Sequence, residues 1–267
     1  MELPRTLFVS RGNKAPAWYR CALPAMALGC DWVCYGNEPP ELQLEWGTTQ
    51  QRLSLADRYG ALNPRTYVCQ NGIDLKRFAV TPPERAHVGV GWAGATGHTE
   101  AIVPWLKEVA TVMRARPDVH FISVGQGFAN LFVEEFGARR ALTVPFTALD
   151  VYPAAMAHYD IALAPAGDSN FYRGKSDLRW LEASAVGLPT IADPKVYPEI
   201  EHGVTGFHAA SPGEMRELLE LLIADRELRL RVGAAAKAYV SEHRSAQATA
   251  RQWAAVLQSV GTTRAAA

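Results

Sequence analysis

Residues 175–200 read KSDLRWLEASAVGLPTIADPKVYPEI. The stretch begins as a helix: Ser176 can cap it, and Asp177 follows in the first turn, where the helix dipole favours an acid. One acidic side chain, Glu182, then sits in an otherwise apolar helix face. A helix needed only for packing has no use for that carboxylate. The apolar run PTIAD at 189–193 reads as a strand directly after the helix. A helix followed at once by a short buried strand belongs to a βαβ unit.

Working outward, the same alternation fills the rest of the chain. Strands are expected at 87–94 (HVGVGWAG), 119–125 (VHFISVG), 141–146 (ALTVPF), 160–166 (DIALAPA) and 205–209 (TGFHA). Helices are expected at 99–117, 129–137, 211–225, 227–243 and 245–260, with a broken one at 150–159 and a frayed tail at 262–267. Ser211, Pro212 and Glu214 form a helix-start signature of cap, first helical residue and third-position acid. Before the Pro-rich linker 77–86 the pattern is shorter. It has strands at 6–11 and 31–36, a helix over 17–29 ended by Gly29, a polar segment with one helix at 50–60, and a strand at 65–70. The fold class is α/β, with a Rossmann-type parallel sheet in a complete C-terminal domain and a shorter α/β domain ahead of it. The expected boundaries are 1–76 for the N-terminal part, 77–241 for the C-terminal domain, and 242–267 for a C-terminal helix that packs back on the N-terminal part.

Composition narrows the function. Lys+Arg and Asp+Glu both number 27, so formal net charge is zero and a general electrostatic footprint for nucleic acid is missing. Hydrophobic residues make up 48% of the 267, which suits a packed core. No apolar run reaches the roughly 18–20 residues of a membrane span. The opening MELPRTLFVSRG has no charged start followed by a long apolar core, so the expectation is a cytoplasmic protein without a signal peptide. Cys21, Cys30, Cys34 and Cys69 have neither C-x-x-C nor zinc-ligand spacing and read as free thiols.

An open parallel sheet binds ligands at the carboxyl ends of its strands. Two loops fall there. GWAGATGH, at 91–98, spaces glycines as G-x-x-G-x-x-G, which is neither a dinucleotide fingerprint nor a P-loop. It can be a close backbone approach to a ligand or a tight strand-to-helix turn. The second loop, GDSNFYRGKS at 167–176, is polar and basic and feeds the opening helix. Arg173 and Lys175 beside a helix N-terminus suit a diphosphate. Glu182, two turns in, can accept from vicinal hydroxyls as acids do from a ribose. It can equally face solvent or pair with Arg179 at i−3.

The stretch SDLRWLEASAVGLPTIADPKVYPEIEHGVTGF, 176–207, resembles the donor-binding core of GT-B glycosyltransferases of the large retaining family 4 (group 1). NGIDLKRF (71–78) and HYDIALAPA (158–166) resemble two further motifs of that family in the right order. The likeness runs from about Arg65 to the C-terminal helix. It implies a metal-independent hexosyltransferase without cofactor, moving a sugar with retention from a UDP- or GDP-sugar to an acceptor that is a glycan, a lipid-linked sugar or a protein. By the resemblance Glu182 holds the ribose, and Lys175, Ser176, Asp177 and Leu178 receive the diphosphate. Gly91 and Gly94 line the donor, and the base lies near Gly125, Gly127 and Phe146. Arg173 and Lys175 neutralise the leaving diphosphate, with His98 or Arg173 as a substitute for the family's missing lysine. In this family the leaving phosphate helps deprotonate the acceptor, so no protein base is needed. Lys14, Tyr19 and Arg20 are the acceptor-side candidates. A peripheral membrane contact and a homo-oligomer stay open.

Two departures stand out. The family's first glutamate falls on Gly174, as in a subset reading Lys-Ser-Asp-Leu-(Lys/Arg)-x-Leu-Glu. The N-terminal half is also shorter than the family's acceptor domain, with no histidine before His87. A non-catalytic nucleotide-sugar-binding module, or one part of a larger transferase assembly, is the alternative.

Overall fold

The computed structural model describes residues 7–11, 23–35, 67, 69–168, 172 and 175–265. The chain divides into two compact units. The first comprises Met1–Leu75, Ser169–Gly174 and Ser241–Ala267, and the second Lys76–Asp168 with Lys175–Val240. No helix among the described residues is long and apolar enough to cross a membrane.

In the first unit, β1 (Leu7–Arg11) and β2 (Asp31–Tyr35) pair in parallel, Leu7 opposite Asp31 and Arg11 opposite Tyr35. Between them α1 (Leu23–Leu28) ends at Gly29, whose φ of +65° suits a glycine at a helix stop. Of the helix expected over 17–29, residues 17–22 lie outside the described residues, as does the helix expected at 50–60. The strand expected at 65–70 falls partly outside them, and Tyr67, Cys69 and Gln70 are not in a strand.

The NGID segment is tied to the chain's end. Ile73 N–H donates to Arg244 O (2.8 Å), and Ala246 N–H donates to Ile73 O (3.0 Å). The Arg244 guanidinium donates through Nε and Nη2 to Asn71 O, at 3.2 Å each. Gly72 has to be glycine, because a Cβ there would lie 2.2 Å from Thr249 Oγ1 and 3.1 Å from Ala246 Cα.

In the second unit the described residues form a six-stranded parallel sheet in the order β5-β4-β3-β6-β7-β8. Its strands are β3 (Val88–Gly94), β4 (Val119–Gly125), β5 (Ala141–Val144), β6 (Ile161–Ala164), β7 (Thr190–Ala192) and β8 (Phe207–His208). β6 and β7 are buried throughout and β3 from Val88 to Trp92, as parallel strands covered on both faces must be. α2 (Thr99–Ala115) puts Ile102, Trp105, Leu106, Val109 and Met113 on one face at helical spacing. All five are buried in the core with Val90, Trp92 and Phe121. Burial of each such side chain stabilises by about 1.5–3 kcal/mol.

α6 (Pro212–Ala224) starts as its sequence predicts. Ser211 Oγ accepts from Glu214 N–H at 3.2 Å, and Glu214 Oε2 accepts from Ala210 N–H at 2.8 Å. α7 (Arg226–His243) follows. α8 (Ala246–Ala265), in the first unit, packs with α1 and runs through Ala265, so the tail expected to fray is helical to that point.

Three other expectations are revised. The helix at 129–137 is a 3₁₀ turn over Phe128–Phe132 and one turn, α3 (Val133–Phe136), because Phe128, Ala129 and Phe132 are drawn into the core. The broken helix is α4 (Tyr152–Met156), started by Pro153 in its first turn. The helix of the opening stretch is α5 (Leu178–Val186), with Asp177, not Ser176, at the N-cap and no side-chain cap bond there. A shift of one residue at a helix end is small, but it moves the cap.

Candidate functional site

The strand order fixes where a ligand can sit. From β3 the chain goes outward to β4 and β5, then crosses back to place β6 on the other side of β3. Such a reversal opens a crevice beyond the carboxyl ends of the two central strands. Those ends are Gly94 on β3 and Ala164 on β6, flanked by Gly125 and Ala192. Against the sheet just short of these ends is a small pocket whose lining includes Gly91, Tyr152, Tyr159, Leu163, Ala164 and Arg179.

α5 carries two charged side chains on this side of the molecule's core, Arg179, which lines the pocket, and Glu182. Glu182 is buried at 6% exposure, and Tyr152 O–H donates to its Oε2 at 3.1 Å. A carboxylate taken out of water needs such a donor. The helix is fixed from its other side by Trp180, fully buried, whose Nε1–H donates to Thr205 O at 3.0 Å.

Arg179, one turn earlier, is a candidate that sequence reasoning misses; its i+3 spacing to Glu182 reads as a surface ion pair. The structure sends it across to β3. Its guanidinium lies over the Trp92 ring, 5.5 Å from the centroid. Nη2 sits where it would be 2.7 Å from a Cβ at position 94, so Gly94 leaves room for a cation at the strand end. Arg179 also shares a hydrogen bond with Tyr197. Burial pushes the Tyr197 phenol up to about 12, with Asp177 and Glu182 adding to the rise and Arg179 opposing it. The signal that could have found Arg179 is its place in the first turn of a helix that opens on the sheet's carboxyl edge.

His98 closes the 3₁₀ turn Thr96–His98 and occupies the N-cap position of α2. Burial, then the positive charges of Arg179 and Lys175, lower its pKa to about 3. Its imidazole is therefore neutral at neutral pH, and it lies within electrostatic reach of Arg179 on α5 and Lys175 just ahead of that helix. The region at the starts of α2 and α5 also has the first-turn N–H groups of two helices. Lys175 is exposed, and Ser176 and Leu178 are half-buried beside Asp177, which is buried.

The glycines divide by task. Gly91 is inside β3, and the space its Cβ would occupy, 2.0 Å away, is the Tyr159 ring. Its lack of a side chain makes room for that ring, whereas a Cβ at Gly94 would meet the Arg179 guanidinium and the Trp92 ring instead. Gly125, at φ +92°, lies 2.6 Å from Gly94 O and 2.8 Å from the Phe146 ring, measured from a built Cβ. Phe146 caps this end of β4 with a ring left 69% exposed. Gly127 sits against Asn130 and Thr143, and Thr143 Oγ1–H donates to Asn130 Oδ1 at 2.8 Å.

Arg173 and Gly174 lie outside the described residues, as do Lys14, Tyr19 and Arg20. Among the described residues no group of three or more His, Cys, Asp or Glu side chains is placed to hold a metal ion.

Comparison with solved structures gives several of the same architecture. HepE from Anabaena, in complex with UDP and glucose, superposes with a TM-score of 0.58 at 20% identity, over 73% of this chain and 57% of that one. A point mutant of Staphylococcus aureus TarM, in complex with Fondaparinux, alpha-GlcNAc-glycerol and UDP, gives 0.60 at 16%, over 77% and 43%. A glycosyltransferase from Rickettsia africae gives 0.62 at 13%, over 95% and 76%. The chain thus spans little more than half of HepE and less than half of TarM. At these identities the likeness carries the fold, a GT-B-type Rossmann-like α/β arrangement. No curated protein matches the sequence. A family model described as "Glycosyl transferase-like" matches residues 105–255, more than half of the chain and all of α5. The chain belongs to the glycosyl transferase-like family.

Proposed function

We propose that the chain binds a nucleotide-diphosphate sugar at this crevice and transfers the sugar to an acceptor. The observation that carries the reading is the separation of charge along α5. Arg179 and Lys175, with the neutral His98 imidazole beside them, gather at the start of the helix near Gly94, while the buried Glu182 lies further along. Leu178 to Glu182 is four residues, or about 6 Å at 1.5 Å per residue. That span suits a nucleoside diphosphate lying along the helix, diphosphate at the N-terminus and ribose at the carboxylate. The base then reaches Gly125, Gly127 and Phe146, where an exposed ring offers a stacking face.

The chemistry follows from the charges. The bond between the sugar's anomeric carbon and the phosphate oxygen breaks as a bond to the acceptor oxygen forms. The electron pair leaves on the nucleoside diphosphate, whose added charge Arg179, Lys175 and the helix dipole stabilise. The acceptor's proton passes to the leaving phosphate, in keeping with retention and with a reaction that needs no metal. Membership of family 4 and a cytoplasmic setting belong to the same reading, as does a glycan, lipid-linked sugar or protein acceptor.

The test is a panel of UDP- and GDP-sugars read by melting temperature. One of them raises the midpoint, and Glu182→Ala removes most of the rise. No rise with any nucleotide-sugar overturns the proposal. Mass-spectrometric detection of sugar transfer, or of donor hydrolysis, with the best donor establishes turnover.

A further inference from the structure

We propose that Tyr152 is the positioning residue of the ribose site, holding Glu182 in the orientation that receives the ribose hydroxyls, with Phe78 holding Tyr152 in turn. The inference rests on the assignment of Glu182 to the ribose made above. Tyr152 is the first residue of α4, and its N–H donates back to Ala148 O at 3.0 Å, which fixes the backbone beneath the ring. Its O–H donates to Glu182 Oε2 at 3.1 Å. The Phe78 ring, 1% exposed, meets the Tyr152 ring edge-on at 6.5 Å and 89°. Phe78 closes NGIDLKRF, a motif that sequence reasoning leaves without a task in the site.

Other tyrosines near Glu182 are committed elsewhere. Tyr159 O–H donates to Trp92 O at 3.1 Å, and Tyr197 is bonded to Arg179. Of these three, Tyr152 is the one whose hydroxyl reaches the carboxylate, and it also lines the pocket with Arg179 and Ala164. A glutamate has more rotamer freedom than most side chains, and freezing it when a ligand arrives weakens binding. A carboxylate has about four acceptor positions. One O–H from Tyr152 on Oε2 fixes the plane of the group and so the direction in which its oxygens accept. The hydroxyl also supplies part of the solvation that burial removes.

A purely structural tyrosine and a positioning tyrosine differ in what they do to ribose recognition. Affinities for UDP and for 2′,3′-dideoxy-UDP are measured by calorimetry on the unaltered protein, Tyr152→Phe and Phe78→Leu, with the guanosine pair run alongside. Tyr152→Phe keeps the ring and its contact with Phe78, and its nucleotide-free melting temperature establishes that it folds. The unaltered protein prefers the ribose form by about tenfold or more, the worth of a hydrogen bond to a charged group. Tyr152→Phe is expected to lose most of that preference through weaker binding of the ribose form, leaving the dideoxy form within about twofold. Phe78→Leu moves the same ratio in the same direction. Equal losses for both forms, or an unchanged ratio in both variants, overturn the positioning role and leave the Glu182 assignment standing. No preference for the ribose form in the unaltered protein, with Glu182→Ala equally indifferent, overturns that assignment and this inference with it.

Discussion

Arg179→Gln separates a cation that binds ligand from one that only packs. In the nucleotide-free protein the guanidinium gains a cation–π contact with Trp92 and a hydrogen bond with Tyr197. Those contribute about 0.5–2 and 0.5–1.5 kcal/mol. Gln keeps an amide N–H that can still donate to Tyr197, so the cation–π contact is the main loss. The net change in folding stability is therefore expected to stay within about 2 kcal/mol. A charge-assisted bond to a diphosphate is worth about 1.5–3 kcal/mol, so UDP or GDP should bind about 10- to 150-fold more weakly. The free nucleoside, which has no phosphate, should bind the variant as it binds the parent. Calorimetry with nucleoside and nucleoside diphosphate reads the difference. A second readout is His98, followed by NMR titration. Arg179 is one of the charges that hold it near 3, so the variant's His98 climbs toward 6.5 but stops short, because burial is the larger cause and remains. Diphosphate affinity within twofold of the parent, or equal losses for nucleoside and diphosphate, refutes the role.

Other perturbations test the packing and the titration. Gly91→Ala drives a methyl into the Tyr159 ring and Gly72→Ala drives one onto Thr249, so each should destabilise by about 1–3 kcal/mol or more in urea unfolding. Gly94→Ala would set a methyl 2.7 Å from both the Arg179 tip and the buried Trp92 ring, and should reduce diphosphate affinity as well as stability. Ser211→Ala, which removes the cap bond to Glu214 N–H, should lower stability by about 1 kcal/mol. The folded pKa of His98, about 3, lies below its ordinary 6.5, so the unfolded chain takes up the proton first. Its contribution is full above pH 6.5 and is lost as pH falls toward 3. His98→Gln should flatten acid destabilisation in that window by up to about one proton, and an unchanged slope contradicts the assignment.

The β4 strand was legible residue for residue, because a buried parallel strand is an apolar run with a glycine at its end. The start of α6 was legible because a capping box is local chemistry. Glu182 could be singled out because an acid on an apolar helix face has to be answered by something. What answers it, Tyr152, could not be read, because it is thirty residues away in sequence. The two glycines of GWAG look alike in the sequence. Only the packing separates Gly91, filled by Tyr159, from Gly94, filled by Arg179. Periodicity says which face of a strand is buried but not which ring or cation comes to lie on it.

Arg179 and Glu182 make the same point about chemistry. Three residues apart on a helix, they are spaced to neutralise each other. The fold instead provides each with its own neighbour. Trp92 and Tyr197 draw the guanidinium toward the end of β3, and Tyr152 engages the carboxylate. The distinction matters because a ligand that is anionic at one end and rich in hydroxyls at the other gains from opposite charges held apart. It gains little from a pair that has already satisfied itself. Glu182 placed against Arg179 would have to be pulled away before a ribose could bind, and the arginine would meet the diphosphate already half neutralised. On the proposed reading, the aromatic partners Trp92, Tyr152 and Tyr197 are thus what would turn an ordinary helical charge pair into two subsites.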